Sequence, residues 1–479
     1  MESWPLKRFK ICKLYRYKDV EINFSGPTLI LIAGNGSGKT TIFNALHAFL
    51  RRRFGRLQSL DFESIEFEFN DGQGVGRLMK AELGERDGMF SERAEFLTTH
   101  TPAREDELYE FLISTFQVDR GSYFYREHPV VRALYDGSPF SYEQLDEHLN
   151  ELFQLVGSPS GELRELDDRV AKAMQGMDVV YLPTYRRIEN PLLSPRGKQR
   201  RNPINRGRLK GTDNLEPAHM NYGLEDVESR LNELSAEVER VSNLEYRSAS
   251  ATIIDDALSN SIAAESAAVG GLPDIESLTR FLNRVSRADR LNYSHSSTRE
   301  LEASSKRRVS AIAELYESNR IASPDQGVLR YFLRKMGSVI ERTRETEAML
   351  QRFVDACNSY LIGSSDEKSF VYEPNSMRVT VVNSFTEAVV PLGQLSSGEK
   401  QVVSILARLY LYNKRNFILI DEPELSLSLD WQRKIVPDMI NSGSVAQLLA
   451  ITHSPFIFEN EFDPFAGAMN VYRHRDLFP

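Results

Sequence analysis

Cysteine is nearly absent from this chain, with only Cys12 and Cys357 among 479 residues. Two thiols exclude a disulfide-stapled scaffold, and their separation offers no zinc-ligand spacing. Net basic charge is missing too. Fifty-nine Lys and Arg stand against 68 Asp and Glu, a formal charge of −9, so any nucleic-acid contact must come from a local patch. No apolar run approaches the length of a membrane span. The opening residues Met-Glu-Ser-Trp-Pro-Leu-Lys lack the apolar core of a signal peptide, which sets the expectation of a soluble, cytoplasmic protein. No repeat of solenoid period is present. The composition is otherwise globular. Hydrophobic residues make up 41% and aromatics 10%, enough for a sizeable core, over a length that favours two or three folded units.

Three zones emerge. Residues 1–185 begin with strand signals. Leu29-Ile30-Leu31-Ile32 is a short apolar run, Phe62 to Phe69 alternates at period two, and Val179-Val180-Tyr181-Leu182 is a further strand before Pro183; the stretch 105–175 is more helical. Residues 186–365 are polar and mostly helical. Between Arg186 and Lys210 lie nine Lys or Arg and one acid, broken by prolines and glycines, which reads as an exposed basic loop. Leu224, Val227, Leu231, Leu234, Val238 and Val241 then repeat at 3-4-3-4-3 spacing, fitting either a short coiled-coil seam or an ordinary helical subdomain. Helical patterns return at 299–317 and 327–361. Residues 366–479 resume α/β patterning. Phe417-Ile418-Leu419-Ile420 and Leu448-Leu449-Ala450-Ile451-Thr452 are continuous apolar runs suited to strands covered on both faces.

The first apolar strand runs into Ala33-Gly34-Asn35-Gly36-Ser37-Gly38-Lys39-Thr40-Thr41 and then into Ile42-Phe43-Asn44-Ala45-Leu46. Strand, glycine-rich loop and helix in that order make a phosphate-binding loop. Its glycines let backbone N–H groups wrap phosphates, and the helix start adds a positive dipole end. Lys39 places a charge between the β- and γ-phosphates, and Thr40 offers a hydroxyl to Mg²⁺. Asp421 and Glu422 close the strand Phe417–Ile420. Asp421 is placed to hold the Mg²⁺ water shell, and Glu422 to polarise the water that attacks the γ-phosphate. Leu395-Ser396-Ser397-Gly398-Glu399 precedes an amphipathic helix. It reads as a capping box, and equally as a helix start presenting N–H groups to an anion. His453 ends the last strong strand, within reach of a γ-phosphate, and Asp430 lies in the loop after the acidic pair.

Taken in chain order the motifs resemble an ABC-class ATPase of the SMC/Rad50/OLD branch, across about 1–50 and 385–458. The resemblance implies an α/β ATP-binding head with a helical or short coiled-coil insertion, with ATP and Mg²⁺ as cofactors. Two heads would associate so that each γ-phosphate is enclosed between Lys39 of one and Ser396 and Gly398 of the other. On the same resemblance Asn35, Gly36, Ser37, Gly38, Lys39, Thr40 and Thr41 bind nucleotide, Thr40 and Asp421 serve the metal, and Glu422 and His453 carry catalysis. Arg16, in Arg16-Tyr17-Lys18, corresponds to a first-strand segment that touches nucleotide. Four positions depart from the family pattern: Ala33 replaces the first glycine of the loop, Thr184 stands where a Mg²⁺-ligating Gln is usual, and Ser428-Leu429 replaces a His-Pro pair.

Within that branch, Tyr181 to Arg186, Asp421 to Leu427 and Ile451 to Pro455 look like the ATPases of prokaryotic anti-phage systems. The short stretch after His453 sets the expectation of an ATPase without the TOPRIM nuclease of OLD and Gabija enzymes. The likeness is therefore to stand-alone ATPases, the AriA subunit of PARIS ahead of the PtuA subunit of Septu and its retron-associated forms. It implies a homo-oligomer holding a separate nuclease of TOPRIM or HNH type, with an acidic phage protein or DNA received at 186–210. A repair ATPase like RecF or Rad50, and a binding module with vestigial hydrolysis, are the competing expectations.

Overall fold

The protein is described here from a computed structural model. It describes residues 4–32, 38–83, 88–99, 107–108, 111–112, 128–135, 141–156, 161–182, 224–259, 271–290, 298–362 and 367–474. Contacts divide the chain into two compact units, Met1–Asn221 with Lys414–Pro479, and Tyr222–Asn413. The division falls after Asn413, so the boundary expected at 366 does not separate them. The helix that follows Ser396 belongs with the helical residues because it packs on them.

In the first unit, strands β1 (Leu6–Leu14), β2 (Lys18–Asn23), β4 (Ser64–Phe69), β5 (Val75–Met79) and β13 (Asn470–Arg473) form an antiparallel sheet in the order β13-β2-β1-β4-β5. Alternation is visible along β4, where Ile65, Phe67 and Phe69 are buried and Glu66 and Glu68 lie between them at the surface. A second sheet is parallel throughout. It joins β3 (Thr28–Ile32), β6 (Met177–Leu182), β10 (Arg415–Asp421), β11 (Val445–Thr452) and β12 (Ala466–Ala468) in the order β12-β3-β11-β10-β6. Parallel sheets are covered on both faces, which is why Phe417–Ile420 of β10 and Leu448–Ile451 of β11 are unbroken apolar runs. Of the described helices, α1 (Lys39–Leu50) is buried at every position from Ile42 to Leu50, Asn44 and His47 included, so it is covered all round.

Aromatic side chains fill the space around α1. Phe49 meets Phe9, Phe54, Phe67 and Phe69, while Phe43 meets Tyr181. Each fully buried Phe contributes about 1.5–3 kcal/mol of apolar burial, and Phe49→Ala is expected to cost about 3–5 kcal/mol. Gln447, fully buried on β11, ties the two sheets together. Its Oε1 accepts from the Leu6 N–H at 3.0 Å and its Nε2 donates to the Leu6 carbonyl at 2.7 Å. The unit also contains α2 (Gly88–Thr98), α3 (Pro129–Tyr135), α4 (Tyr142–Val156), α5 (Gly161–Ala173) and α11 (Leu429–Asn441).

The second unit is built on helices α6 (Leu224–Leu258), α7 (Ile275–Arg290), α8 (Thr298–Glu317), α9 (Gly327–Leu361) and α10 (Ser397–Tyr410), with a three-stranded antiparallel sheet of β7 (Lys368–Glu373), β8 (Arg378–Asn383) and β9 (Val389–Val390). Val227, Leu231, Leu234 and Val238 are buried, as the 3-4 spacing requires. Helix α6 packs on α9, α10 and β8 within its own unit. Beyond Val241 the packed face passes to Tyr246, Ala249 and Ile253, which lie partly buried against the cluster around Phe281, while Leu244, Ile254 and Leu258 are exposed. Across α7 and α9 the buried Arg284 donates to Glu347 at 2.7 Å, and Thr343 Oγ1 donates to the same carboxylate at 3.1 Å.

Candidate functional site

Parallel pairing aligns the carboxyl ends of the central strands. Ile32 of β3 pairs with Thr452 of β11, and Ile451 pairs with Asp421 of β10. Strand β11 therefore stands between the strand that leads to Lys39 and the strand that leads to Glu422. Residues far apart in sequence meet at one edge, the crevice beyond the carboxyl ends where open α/β sheets receive ligands.

Lys39 opens α1 and is buried. Gly38, its N-cap, has φ +90°, a left-handed conformation that glycine adopts without steric cost. The first turn of α1 carries no acidic residue, and Gly38 supplies no side-chain cap, so the N–H groups and dipole of the helix start remain available to an anion. The Lys39 ammonium contacts His453 Nε2 and lies 3.6 Å from Glu422 Oε1. His453 Nε2 is 3.7 Å from the same oxygen. Glu422 holds φ +50°, uncommon for a residue with a Cβ, and its N–H donates to the Ile451 carbonyl at 2.8 Å.

Asp421 ends β10 and is buried, and Thr40 occupies the first turn of α1. A hydroxyl and a carboxylate are hard oxygen donors. That set suits Mg²⁺, which keeps several waters and takes only one or two protein ligands beside phosphate.

A residue outside the sequence expectations completes the edge. Glu424 Oε1 accepts from the His453 N–H at 2.6 Å, and its Oε2 accepts from Thr452 Oγ1 at 2.7 Å. One carboxylate thus fastens the end of β11 to the turn after β10. Thr452 Oγ1 accepts in turn from the Ser454 N–H at 2.9 Å, while Ser454 Oγ donates to Gln432 of α11 at 2.6 Å. The signal was present as a second glutamate two residues after Glu422, but its partners lie 28 and 29 positions away.

Asp430 sits in the first turn of α11, behind the Ser428 N-cap, with its side chain 95% exposed and 3.8 Å from Arg433. Arg16 is 83% exposed and pairs with Asp61 at 3.1 Å. Its neighbour Lys18 is buried instead, beside Gly38. Tyr15 Oη lies 3.4 Å from Thr41 Oγ1. In the second unit the capping box is formed. Ser396 Oγ accepts from the Glu399 N–H at 3.3 Å and Glu399 Oε2 accepts from the Ser396 N–H at 2.6 Å, with Lys368 Nζ 3.0 Å from Glu399. Ser396 and Ser397 are exposed at the start of α10, and Gly398 is buried. Ala33, Asn35, Gly36, Ser37, Thr184 and the basic stretch 186–210 lie outside the described residues.

Comparison with known proteins places residues 31–459 on the family described as "AAA domain, putative AbiEii toxin, Type IV TA system". A stretch of 156 residues is 26% identical to the "Retron Ec83 probable ATPase" of Escherichia coli, covering 29% of this chain and 26% of that relative. Among solved structures, an Smc head domain with an extended coiled coil from Pyrococcus furiosus, bound to the C-terminal domain of ScpA, aligns over 98% of this chain and 96% of its own at 14% identity, TM-score 0.35. Among the described residues no helix is long and apolar enough to cross a membrane.

Proposed function

The chain belongs to the AAA-domain family of putative AbiEii toxins of type IV toxin–antitoxin systems, and from that premise we propose that it is an ATP-binding and ATP-hydrolysing sensor and scaffold subunit of an antiviral defence complex that controls a separate nuclease. The meeting of Lys39, Glu422 and His453 at the carboxyl ends of adjacent parallel strands carries this reading. The likeness to a retron ATPase supports the defence context.

In this reading the N-terminus of α1 and Lys39 hold the β- and γ-phosphates. Binding nucleotide draws the Lys39 ammonium from Glu422 and His453 to the phosphate chain, which releases the Glu422 carboxylate to orient and deprotonate the attacking water. His453 is left to hydrogen-bond the γ-phosphate. Thr40 and Asp421 would hold Mg²⁺, whose charge would offset that of the phosphates. The signature of a second copy, Ser396 and Gly398 at the start of α10, closes over the γ-phosphate, so that association and hydrolysis are coupled. The separate nuclease, of TOPRIM or HNH type as in AriA- and PtuA-containing systems, is held by the associated heads. A trigger acts by binding one state more tightly than the other.

Turnover and nucleotide binding measured on Lys39→Ala and Glu422→Gln test the catalytic core. Lys39→Ala is expected to weaken ATP binding about tenfold or more, and Glu422→Gln to keep binding while losing about 100-fold or more in kcat. Wild-type turnover by Glu422→Gln would remove Glu422 from the mechanism. Co-purification with a nuclease encoded beside it tests the scaffold. Salt-dependent duplex binding without such a nuclease would favour the repair reading.

A further inference from the structure

The turn between β1 and β2 carries a concentration of backbone strain. Lys13, Tyr15 and Arg16 hold φ +49°, +53° and +70°, left-handed values that residues with a Cβ adopt only where the surroundings impose them. The turn delivers Lys18 into the molecule, where the residue is 6% exposed. Its ammonium lies 5.4 Å from the ring centroid of Tyr15 and 5.6 Å from that of Tyr17. Among the described residues no carboxylate pairs with it. The adjacent Asp19 is engaged elsewhere, by Lys10 at 3.1 Å, the Lys13 N–H at 2.8 Å and His474 at 2.9 Å. Aromatic faces offset part of the desolvation of an ammonium, but a buried charge without a counter-ion is costly.

The position of that charge indicates what would neutralise it. A Cβ built on Gly38 would stand 3.2 Å from Lys18 Nζ, so the ammonium lies against the N-cap of α1, immediately before Lys39. Tyr15 touches the same helical turn through Thr41. Two lysines from separate elements therefore address one uncapped helix start, Lys39 from within the helix and Lys18 from the first hairpin. Arg16 lies apart, exposed on Asp61.

We infer that Lys18 is a second phosphate-binding cation of the nucleotide site, with the polyphosphate chain as its counter-ion. The inference rests on the reading of the Lys39 site as a nucleotide pocket. It shifts the role expected of Arg16 to Lys18. The two tyrosines shape the slot that aims the ammonium, and the strained turn is what brings it there.

The test uses the full chain as wild type, Lys18→Met, Lys18→Arg and Lys39→Ala. ATP and ADP affinity are measured by titration calorimetry, and the thermal midpoint of the nucleotide-free protein is measured alongside. Lys18→Met keeps the length of the stem and removes the charge. It is expected to bind both nucleotides about tenfold or more weakly, with a nucleotide-free midpoint equal to or above that of wild type. Lys18→Arg should retain more affinity than Lys18→Met. Wild-type affinity in Lys18→Met overturns the inference. So does a lowered midpoint or loss of folding in that variant, because a purely structural lysine would behave that way. Failure of wild type itself to bind ATP or ADP would remove the pocket reading; loss in Lys39→Ala with none in Lys18→Met removes this inference alone.

Discussion

Glu424 has two acceptor oxygens and uses both, one on the Thr452 hydroxyl and one on the His453 N–H. Glutamine offers one acceptor and two donors, so Glu424→Gln loses one of these bonds without removing bulk. If the carboxylate positions His453, kcat should fall about tenfold while nucleotide affinity is retained. In a double-mutant cycle, His453→Ala should then cost less in the Glu424→Gln background than in wild type. Independent, multiplying effects on kcat would show that Glu424 acts on something other than His453. At His47 the expectation concerns pH. The imidazole is buried on α1 against Tyr181, and burial together with Arg51, Arg53 and Arg56 pulls its pKa down to about 3 from 6.5. The unfolded chain binds a proton below pH 6.5 that the native protein refuses. The stability conferred by neutral His47 is therefore full above 6.5 and lost progressively toward 3. At pH 5 that loss is about 2 kcal/mol. His47→Phe should narrow the gap between unfolding free energies at pH 7.5 and 5 by about that amount, read from denaturant titrations.

At the level of elements, the start of α10 has an observed duty, capping its own helix, and a proposed one, meeting nucleotide on a second copy. Its capping box satisfies helix N–H groups whether or not a ligand is bound, and Ser396→Ala should cost about 1 kcal/mol of stability. Aspartate caps as well as serine but sets a negative charge where the partner's γ-phosphate would arrive. Ser396→Asp is therefore expected to keep the thermal midpoint while abolishing ATP-dependent association, measured by light scattering. A midpoint loss with association intact would assign the serine to the helix alone. The β10–β11 pair is a second case. Its apolar runs announced strands covered on both faces, and the parallel pairing seen in the structure aligned Asp421 with Ile451. The order β3-β11-β10 was not legible in the sequence, because strand order depends on long-range crossovers that leave no local mark.

For the whole molecule, the expected behaviour is nucleotide-dependent assembly. Glu422→Gln with ATP and Mg²⁺ should accumulate a dimer or a multiple of it, visible as doubled mass in solution, and should remain monomeric when Lys39→Ala is added. A Glu422→Gln protein that stays monomeric at saturating ATP would separate hydrolysis from association. The capping box and the strand ending in the acidic pair could be read directly, because each is a local pattern of a few residues. The seam of α6 was legible as a helix face, yet its spacing alone could not say whether a coiled-coil partner or the neighbouring α9, α10 and β8 would cover it. Chain order alone determined that a glycine-rich loop, Lys39 and a strand ending in Asp421 and Glu422 exist in this protein. Only the tertiary structure decided that Glu424 clamps the histidine strand and that Lys18, two residues from Arg16, is the buried cation at Gly38. Side-chain partners separated by tens or hundreds of residues are set by sheet order and turn geometry, and short-range sequence patterns encode neither.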